Sequence, residues 1–230
     1  MYIKNNAVKI IWRVIFIAAC ITGLALTFSA SHGYSAILLC YYTVLSNLVC
    51  LLYFIYLVAF RPKNENALIK GAVTMCITLT GLVYHFLLSG QTMGGDAHLT
   101  TQAIGNYFVH YAVPIMVVLD YFLFSKKGRY KWYYPFLWMV IPYLYVIFAF
   151  VRAAVGGAIF TGFGPNATNS RYPYPFIDVD LLGAKKVVLA VIVITAAYVA
   201  LGFIFYGIDK LMGKKKNKNR NETIAVPVTK

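Results

Sequence analysis

The chain of 230 residues is 60% hydrophobic and 12% charged, whereas soluble domains carry about 25% charged residues. Its mean hydropathy of +0.69 therefore indicates an integral membrane protein and excludes an ordinary soluble domain. The net charge of +14 lies in short loops and a C-terminal segment, which favours membrane-topology signals over nucleic-acid binding.

Apolar segments long enough to cross a bilayer, which takes about 20 residues, occur six times in the chain. They predict an all-α, polytopic bundle of six transmembrane helices, at residues 10–30, 36–60, 67–89, 103–124, 133–152 and 184–211. We interpret the first segment as an uncleaved helix, with a cleaved signal peptide as the alternative.

The predicted bundle forms one domain, residues 1–212, followed by a basic segment, residues 213–230. The polar composition of this segment predicts a disordered tail. Its Lys and Arg residues either contact anionic lipid or act only as a topology signal.

Lys and Arg residues are unevenly divided between the two sets of loops. With the N-terminus inside, 17 of them lie in inner segments and 4 in outer ones. Because cytoplasmic loops carry the excess of positive charge, we predict that both termini are cytoplasmic. Two carboxylates near inner helix ends are expected to pair with nearby lysines; the groups concerned are Asp120 and Asp209 with Lys126, Lys127 and Lys210.

The fourth segment is apolar enough to cross a bilayer, yet it carries Asn106, His110 and Asp120. Ionisable side chains in such segments are costly and usually face the protein interior. Asn106, His110 and Pro114 lie four residues apart, so they share one face of a helix. We predict that this face borders a cavity in which His110 does chemistry.

Depth in the membrane brings further residues to the level of His110. Thr43 and His110 each lie seven residues below the outer end of their segment, about 10 Å deep, and His85 lies four residues below its own. A hydroxyl and an imidazole in one layer can form a nucleophile–base pair. The alternative for such polar and small residues is close packing of membrane helices. Candidate oxyanion donors or substrate contacts near this depth are Ser46, Asn47, His85 and Asn106.

The longest connection, residues 153–183, lies on the predicted outer side. Its length favours a lid over a cavity that opens outward, with a folded cap as the alternative. Arg152, at the end of the fifth segment, either holds a fatty-acid carboxylate or has a structural role, in which it snorkels to the interface or pairs with Asp178 or Asp180 of the lid. Tyr172 and Tyr174 are predicted to lie at the outer membrane interface.

Motifs for other chemistries are missing from the sequence. The four cysteines all fall within apolar segments and form no C-x-x-C pair, so neither a disulfide framework nor a zinc site is predicted. No H-E-x-x-H metal motif and no Gly-rich phosphate loop occurs. We therefore predict neither a metal nor a cofactor.

Three stretches resemble one family of six-span membrane proteins. YYTVLSNLVC, HYAVPIMVVLDYFLF and YPYPFIDVDLLG are similar to the bacterial branch of the androgen-induced-gene family. The resemblance covers nearly the whole chain and implies a bacterial inner-membrane location. Mammalian members are threonine hydrolases of fatty acid esters of hydroxy fatty acids, with a catalytic Thr in the second span and a His in the fourth. The resemblance assigns these roles to Thr43 and His110.

Together, the residues and the resemblance predict an intramembrane hydrolase of lipid esters, with Thr43 as nucleophile and His110 as base. The expected partner is a membrane lipid or fatty acyl ester, which can enter sideways from the bilayer. The alternative is a non-enzymatic protein that binds lipid or transports a small molecule through the same cavity. The sequence leaves the oligomeric state open.

Overall fold

Six apolar helices, each long enough to cross a membrane, dominate the protein. This computed structural model describes residues 3–30, 35–89, 100–161 and 168–224. The spans are Asn6–Ser29, Tyr42–Phe60, Ala67–Leu88, Thr101–Phe124, Tyr134–Val155 and Ala184–Lys214. The prediction of an all-α, polytopic membrane bundle with six transmembrane helices is confirmed.

The second span begins later than predicted. A separate turn, Ser35–Leu38, precedes it, and the backbone of Tyr41 is extended before the helix Tyr42–Phe60 begins. The Tyr145 hydroxyl donates to the carbonyl oxygen of Cys40 at 3.0 Å, which satisfies an acceptor freed by this break. As a result, Thr43 lies in the first turn of its helix rather than seven residues inside it.

The third and fourth spans each contain a π-helical turn. The third runs as Ala67–Val83 and then as the π turn Tyr84–Leu88. The fourth is divided into Thr101–Tyr107, the π turn Phe108–Ala112 and Val113–Phe124. Such wider turns are uncommon and often occur at functional sites.

Pro114 accounts for the π turn in the fourth span. Proline has no N–H to donate and its ring clashes with the carbonyl four residues back, here that of His110. The widened turn relieves this conflict. The His110 carbonyl faces Gly81, where an added Cβ would lie only 3.2 Å from its oxygen. Glycine at that position therefore lets the third and fourth spans approach each other closely.

The last two spans also depart from the predicted boundaries. The fifth consists of Tyr134–Trp138 and Val140–Val155, so it ends three residues later than predicted. The sixth belongs to a helix that runs Ala184–Ile224 and thus extends into the segment predicted to be disordered. Residues 225–230 lie outside the described residues, and for them disorder stays a prediction.

The loop between the fifth and sixth spans contains a small two-stranded sheet that the sequence analysis did not predict. Strand β1, Ile159–Thr161, pairs antiparallel with strand β2, Thr168–Ser170. A 3-10 turn, Pro175–Ile177, and a short helix, Val179–Leu182, follow. These elements cover the end of the bundle that we call the loop end.

The first four spans form the packed core. The first packs against the second and fourth, and the third packs against the second, fourth and fifth. Gly23 allows the first and fourth spans to approach closely, since a Cβ there would lie 2.6 Å from the Cβ of Phe108. The fifth and sixth spans are the least buried, so they expose most of their apolar surface to lipid.

Charged side chains hold the opposite end of the bundle, which we call the basic end. Asp120 is fully buried and forms ion pairs with Arg13, at 3.1 Å, and with Lys70. Arg13 also contacts Glu65 at 2.8 Å. The prediction that Asp120 pairs with loop lysines is wrong, because two buried cations from the first and third spans reach it instead.

Asp209 likewise has partners other than the predicted lysines. Its carboxylate accepts hydrogen bonds from the Tyr121 hydroxyl at 2.9 Å and from the backbone N–H of Tyr130 at 2.8 Å. Lys127 donates instead to the backbone carbonyls of Tyr121 and Ser125. Two neutral donors on neighbouring elements thus satisfy Asp209, and they tie the sixth span to the loop after the fourth.

Candidate active site

Thr43 and His110 meet at the loop end of the bundle. The Thr43 hydroxyl oxygen lies 3.1 Å from Nε2 of His110, within hydrogen-bond distance. The two residues come from the second and fourth spans and lie 67 positions apart in the chain. The prediction that these side chains meet is confirmed, while their catalytic roles stay a prediction.

The second ring nitrogen of His110 fixes the tautomer of the imidazole. Nδ1 lies 3.1 Å from the backbone carbonyl oxygen of Asn106, which can only accept a hydrogen bond. Nδ1 therefore carries the proton and Nε2 presents its lone pair to Thr43. The Thr43 hydroxyl donates to Nε2, which is the arrangement that a nucleophile and its general base require.

The ring of His110 is also held by stacking. Tyr84 lies parallel to it, with ring centroids 3.8 Å apart and an interplanar angle of 17°. Both side chains are buried, and Tyr84 lies at the start of the π turn of the third span. The sequence analysis did not identify Tyr84. A stacked neighbour restricts imidazole rotation without adding charge.

Tyr174, in the loop, completes the contacts of Thr43. Its phenol oxygen lies 3.3 Å from the Thr43 backbone nitrogen and 3.4 Å from the Thr43 hydroxyl oxygen. Since the Thr43 hydroxyl donates to His110, the phenol is left to donate to Thr43. The Tyr174 side chain is 7% exposed and packs against Phe176 and Tyr41. Its predicted position at the membrane interface stays a prediction.

The position of Thr43 in its helix matters electrostatically. The first N–H groups of a helix have no partner within it and carry partial positive charge. In this helix the Thr43 N–H, which is one of them, donates to the Tyr174 phenol. An oxygen that becomes negative at this point would be stabilised by the same group.

Asn47 connects the two helices that carry the pair. Its side-chain amide donates to the backbone carbonyls of Thr43, at 2.8 Å, and of Val109, at 3.1 Å. Both amide hydrogens are therefore used, and Asn47 is fully buried. The structure gives it a positioning role rather than that of an oxyanion donor.

Ser46 and Asn106 also contact the pair indirectly. The Ser46 hydroxyl donates to the Thr43 carbonyl at 3.0 Å and shares a 2.7 Å hydrogen bond with the Thr80 hydroxyl. Asn106 acts through its backbone carbonyl, which binds His110. Neither residue presents a side-chain donor to the Thr43 hydroxyl among the hydrogen bonds of the described residues.

His85 does not join the predicted layer. Its ring is exposed, and Nδ1 lies 3.3 Å from the hydroxyl of Tyr111. Tyr84 lies three residues after Gly81 and His85 four residues after it. Because a helix has 3.6 residues per turn, either side chain could face the bundle on the same side as Gly81. The larger Tyr84 occupies the inward position on His110, which turns His85 about 100° away, towards lipid.

Arg152 fastens the loop and does not reach Thr43. Its guanidinium donates to the backbone carbonyl of Arg171 at 2.9 Å. Arg171 in turn binds both carboxylate oxygens of Asp180, at 2.8 and 2.9 Å, and donates to the Ala153 carbonyl. The interpretation of Arg152 as a fatty-acid carboxylate ligand gains no support from these contacts. Arg171, rather than Arg152, pairs with Asp180, and Arg152 contacts the loop through a backbone carbonyl.

A cavity of about 80 Å³ lies beside Thr43. Tyr84 and Tyr174 line it beside Thr43, and apolar side chains of the third, fifth and sixth spans form most of the remaining wall. His110 contacts both Thr43 and Tyr84 but does not line the cavity itself. Thr43 thus borders a largely apolar cavity.

The cavity approaches the lipid-facing surface between the fifth and sixth spans. Tyr143 and Thr195 line it from these spans and share a 3.0 Å hydrogen bond on an exposed face. The same two residues, with Met139, border an open groove of about 490 Å³ on the outside. These three side chains thus lie between the cavity and the outer groove.

No charged side chain lines the cavity beside Thr43 within the described residues. Tyr174 lies outside the spans, and burial raises the pKa of its phenol, so it stays protonated and able to donate. No group of three or more His, Cys, Asp or Glu side chains that can hold a metal occurs among the described residues. The contacts of Thr43 with His110 and Tyr174 are hydrogen bonds between neutral groups.

Comparisons with known proteins give no family for the chain. No family model matches it, and neither a curated protein nor a solved structure matches it. The resemblance to the androgen-induced-gene family therefore stays a prediction, and the geometry of the site carries the functional argument.

Proposed function

We propose that the protein is an intramembrane hydrolase of lipid esters in which Thr43 is the nucleophile and His110 the general base. The observation that carries the proposal is the 3.1 Å contact between the Thr43 hydroxyl and Nε2 of His110, whose Nδ1 is held by a carbonyl. A nucleophile, a base and a group that orients the base are the parts of a catalytic triad.

The reaction proceeds in two steps. Thr43 Oγ1 attacks the acyl carbon while Nε2 of His110 takes its proton. The bond between the acyl carbon and the alcohol oxygen then breaks, and His110 gives the proton to the departing alcohol. A water molecule, activated by His110, hydrolyses the acyl-threonine and releases the fatty acid. General-base assistance of this kind contributes about 10²–10⁴-fold.

Tyr174 and the helix terminus stabilise the oxyanion. A bound ester carbonyl takes the place that the Tyr174 phenol oxygen holds against the Thr43 N–H. The phenol, displaced by the carbonyl, donates its own O–H to the developing negative charge. Donors of this type are worth about 10²–10³-fold in turnover.

The substrate is an ester with at least one long acyl chain, such as a fatty acid ester of a hydroxy fatty acid. The apolar wall of the cavity supports this class, since it offers few polar partners to a sugar or peptide. Entry is lateral, between Tyr143 and Thr195, because lipid reaches the cavity there without crossing water.

The surrounding topology follows the distribution of charge. We infer that the basic end faces the cytoplasm of a bacterial inner membrane, with both termini on that side, since cationic loops cluster there. The active site then lies near the outer surface, beneath the loop. Membership of the androgen-induced-gene family accords with this proposal through Thr43 and His110.

Ester hydrolysis by purified variants tests the proposal. We expect the wild type, in detergent or nanodiscs, to hydrolyse a fatty acid ester of a hydroxy fatty acid. Thr43→Val keeps the branched shape of the side chain but removes the hydroxyl, so hydrolysis should fall to the protein-free rate. Thr43→Ser keeps the hydroxyl and should retain activity within about tenfold.

Thr78→Val is the matched control, since the Thr78 hydroxyl bonds only to the Thr74 carbonyl of its own helix, at 2.7 Å. It should hydrolyse the ester like the wild type. If Thr43→Val retains hydrolysis, or if the folded wild type binds the ester without cleaving it, the protein is a lipid-binding protein and the enzymatic proposal is wrong.

A further inference from the structure

A second cavity, of about 290 Å³, lies at the basic end, remote from Thr43. It is enclosed by the start of the first span, the loop before the third and the loop after the fourth. A single carboxylate, Glu65, lines it, and Arg13 already binds that group at 2.8 Å. Six cationic residues line the same space: Lys4, Lys9, Lys63, Lys70, Lys126 and Arg129.

Most of this positive charge is not offset. Lys70 pairs with Asp120, and Lys9 lies 3.7 Å from Glu65. In the part of the chain that the structure describes, the other four cationic residues form no ion pair. Lys126 donates to the Asn64 amide oxygen at 2.8 Å, and Arg129 to the Glu65 backbone carbonyl at 3.0 Å.

Both of those acceptors are neutral. Like charges gathered around one concavity repel one another and create a positive potential within it. Since neutral acceptors leave that potential in place, an anion is the ligand that would be stabilised there. A topology signal alone requires cations on this side of the membrane, but it does not require that they converge on one cavity.

A buried hydroxyl in the cavity wall has no partner. Ser125 is 9% exposed, and its Oγ makes no hydrogen bond within the described residues. Leaving a buried hydroxyl without a hydrogen-bond partner is unfavourable. Because Ser125 lines the cavity, an acceptor oxygen bound beside the cations would satisfy it.

We propose that this cavity binds a phosphate group, carried either by an anionic lipid headgroup or by a free phosphate compound. Phosphate oxygens accept from ammonium, guanidinium and hydroxyl donors, which are the groups present. Its wall is formed where three spans end, which is the level of lipid headgroups, and basic pockets between spans recognise such headgroups. The proposal is independent of the ester hydrolase activity.

The test measures the melting temperature of the full-length protein in neutral detergent as three probes are titrated. These are short-chain phosphatidylglycerol, the zwitterionic phosphatidylcholine of the same chain length, and inorganic phosphate. We expect phosphatidylglycerol to stabilise the wild type and phosphatidylcholine to leave it unchanged. A similar saturating shift with inorganic phosphate assigns the site to free phosphate, whereas a shift with the lipid alone assigns it to a headgroup.

Two triple variants with equal charge loss separate a site from general attraction. Lys63→Gln, Lys126→Gln and Arg129→Gln together should weaken phosphatidylglycerol binding by at least about tenfold. Lys131→Gln, Lys210→Gln and Lys214→Gln remove three cations that do not line the cavity, and should leave the affinity within about twofold.

Ser125→Ala supplies a variant with no change in charge and should weaken binding about threefold to tenfold. The proposal is wrong if neither anion shifts the melting temperature of the wild type. It is equally wrong if phosphatidylcholine gives the same shift as phosphatidylglycerol, or if the two triple variants lose affinity alike.

Discussion

Buried polar groups are satisfied by different interactions at the two ends of the bundle. At the basic end, buried Arg13, Lys70 and Asp120 neutralise one another through ion pairs. At the loop end, Thr43 and His110 meet through hydrogen bonds between neutral groups. Removing one partner from the first arrangement strands a charge, whereas removing one from the second strands only a hydrogen-bond donor or acceptor.

Because of this difference, the basic end contributes more to the stability of the fold than the contacts of Thr43 and His110 do. Breaking a buried ion pair costs about 3–5 kcal/mol, while a single neutral hydrogen bond is worth about 0.5–1.5 kcal/mol. The basic end joins three spans and the loop before the third through Arg13 and its partners. The loop end can therefore hold a reactive pair whose loss leaves the fold largely intact.

The largest expected effect is a loss of ester hydrolysis caused by a substitution at the loop end. His110→Gln removes the base but keeps a polar side chain of similar length, so ester hydrolysis should fall by about 10³-fold or more. The melting temperature should stay within about 4 °C of the wild type, because only neutral hydrogen bonds and one stacked ring are lost. Parallel measurement of turnover and thermal unfolding checks both parts.

The second-largest expected effect is a loss of stability caused by a substitution at the basic end. Asp120→Asn keeps the shape but leaves Arg13 and Lys70 buried without their shared carboxylate, so we expect a loss of about 3–5 kcal/mol in the free energy of unfolding. Asp180→Asn removes one member of the exposed Arg171–Asp180 pair and should leave stability close to that of the wild type. Equal losses in the two variants, measured by denaturant unfolding, would contradict the contrast between the two ends.

A smaller effect sharpens the contrast within the active site. Tyr174→Phe keeps the ring packed on Phe176 but removes the phenol hydroxyl, so kcat should fall about 10- to 100-fold with little change in KM. Tyr172→Phe is the control, since Tyr172 lies in the same loop as Tyr174 and its ring packs on Phe150 of the fifth span. If both variants keep full activity in a steady-state assay, Tyr174 has a packing role only.

The smallest effect concerns pH. Burial raises the pKa of the Tyr174 phenol, so the folded protein keeps this proton at a pH where the unfolded chain releases it. The donor should therefore persist above about pH 10, and the ratio of wild-type to Tyr174→Phe activity should stay constant up to that pH. By the same linkage, this group makes the folded state less stable as pH rises beyond about 10. A ratio that declines towards unity well below pH 10 would contradict the assignment of the donor.

Some of the contacts at the candidate site could be predicted from the sequence. Periodicity and depth indicated that Thr43 and His110 could meet, because helical geometry fixes the height and face of a residue. The depth of Thr43 was counted from Ala36, however, whereas its helix begins at Tyr42. The same rules failed for His85, since Gly81 leaves two neighbouring positions equally able to face inward, and only packing selects Tyr84.

Contacts that involve irregular backbone could not be predicted from sequence periodicity. Tyr174 reaches Thr43 through a loop whose path no periodicity describes, although its aromatic and proline-rich sequence marked the segment. The late start of the second span depends on Tyr145, more than a hundred residues away, which binds the Cys40 carbonyl. Asp120 was assigned to loop lysines because proximity in sequence was the only guide available.

The most direct test of the central claim asks which atom becomes acylated. A fluorophosphonate probe incubated with the native protein should leave one covalent adduct, which peptide mass spectrometry should locate on Thr43. The adduct should be absent from Thr43→Val and should form far more slowly in His110→Gln. An adduct on another residue, or no adduct in a preparation that hydrolyses lipid esters, would contradict the assignment of Thr43 as the nucleophile.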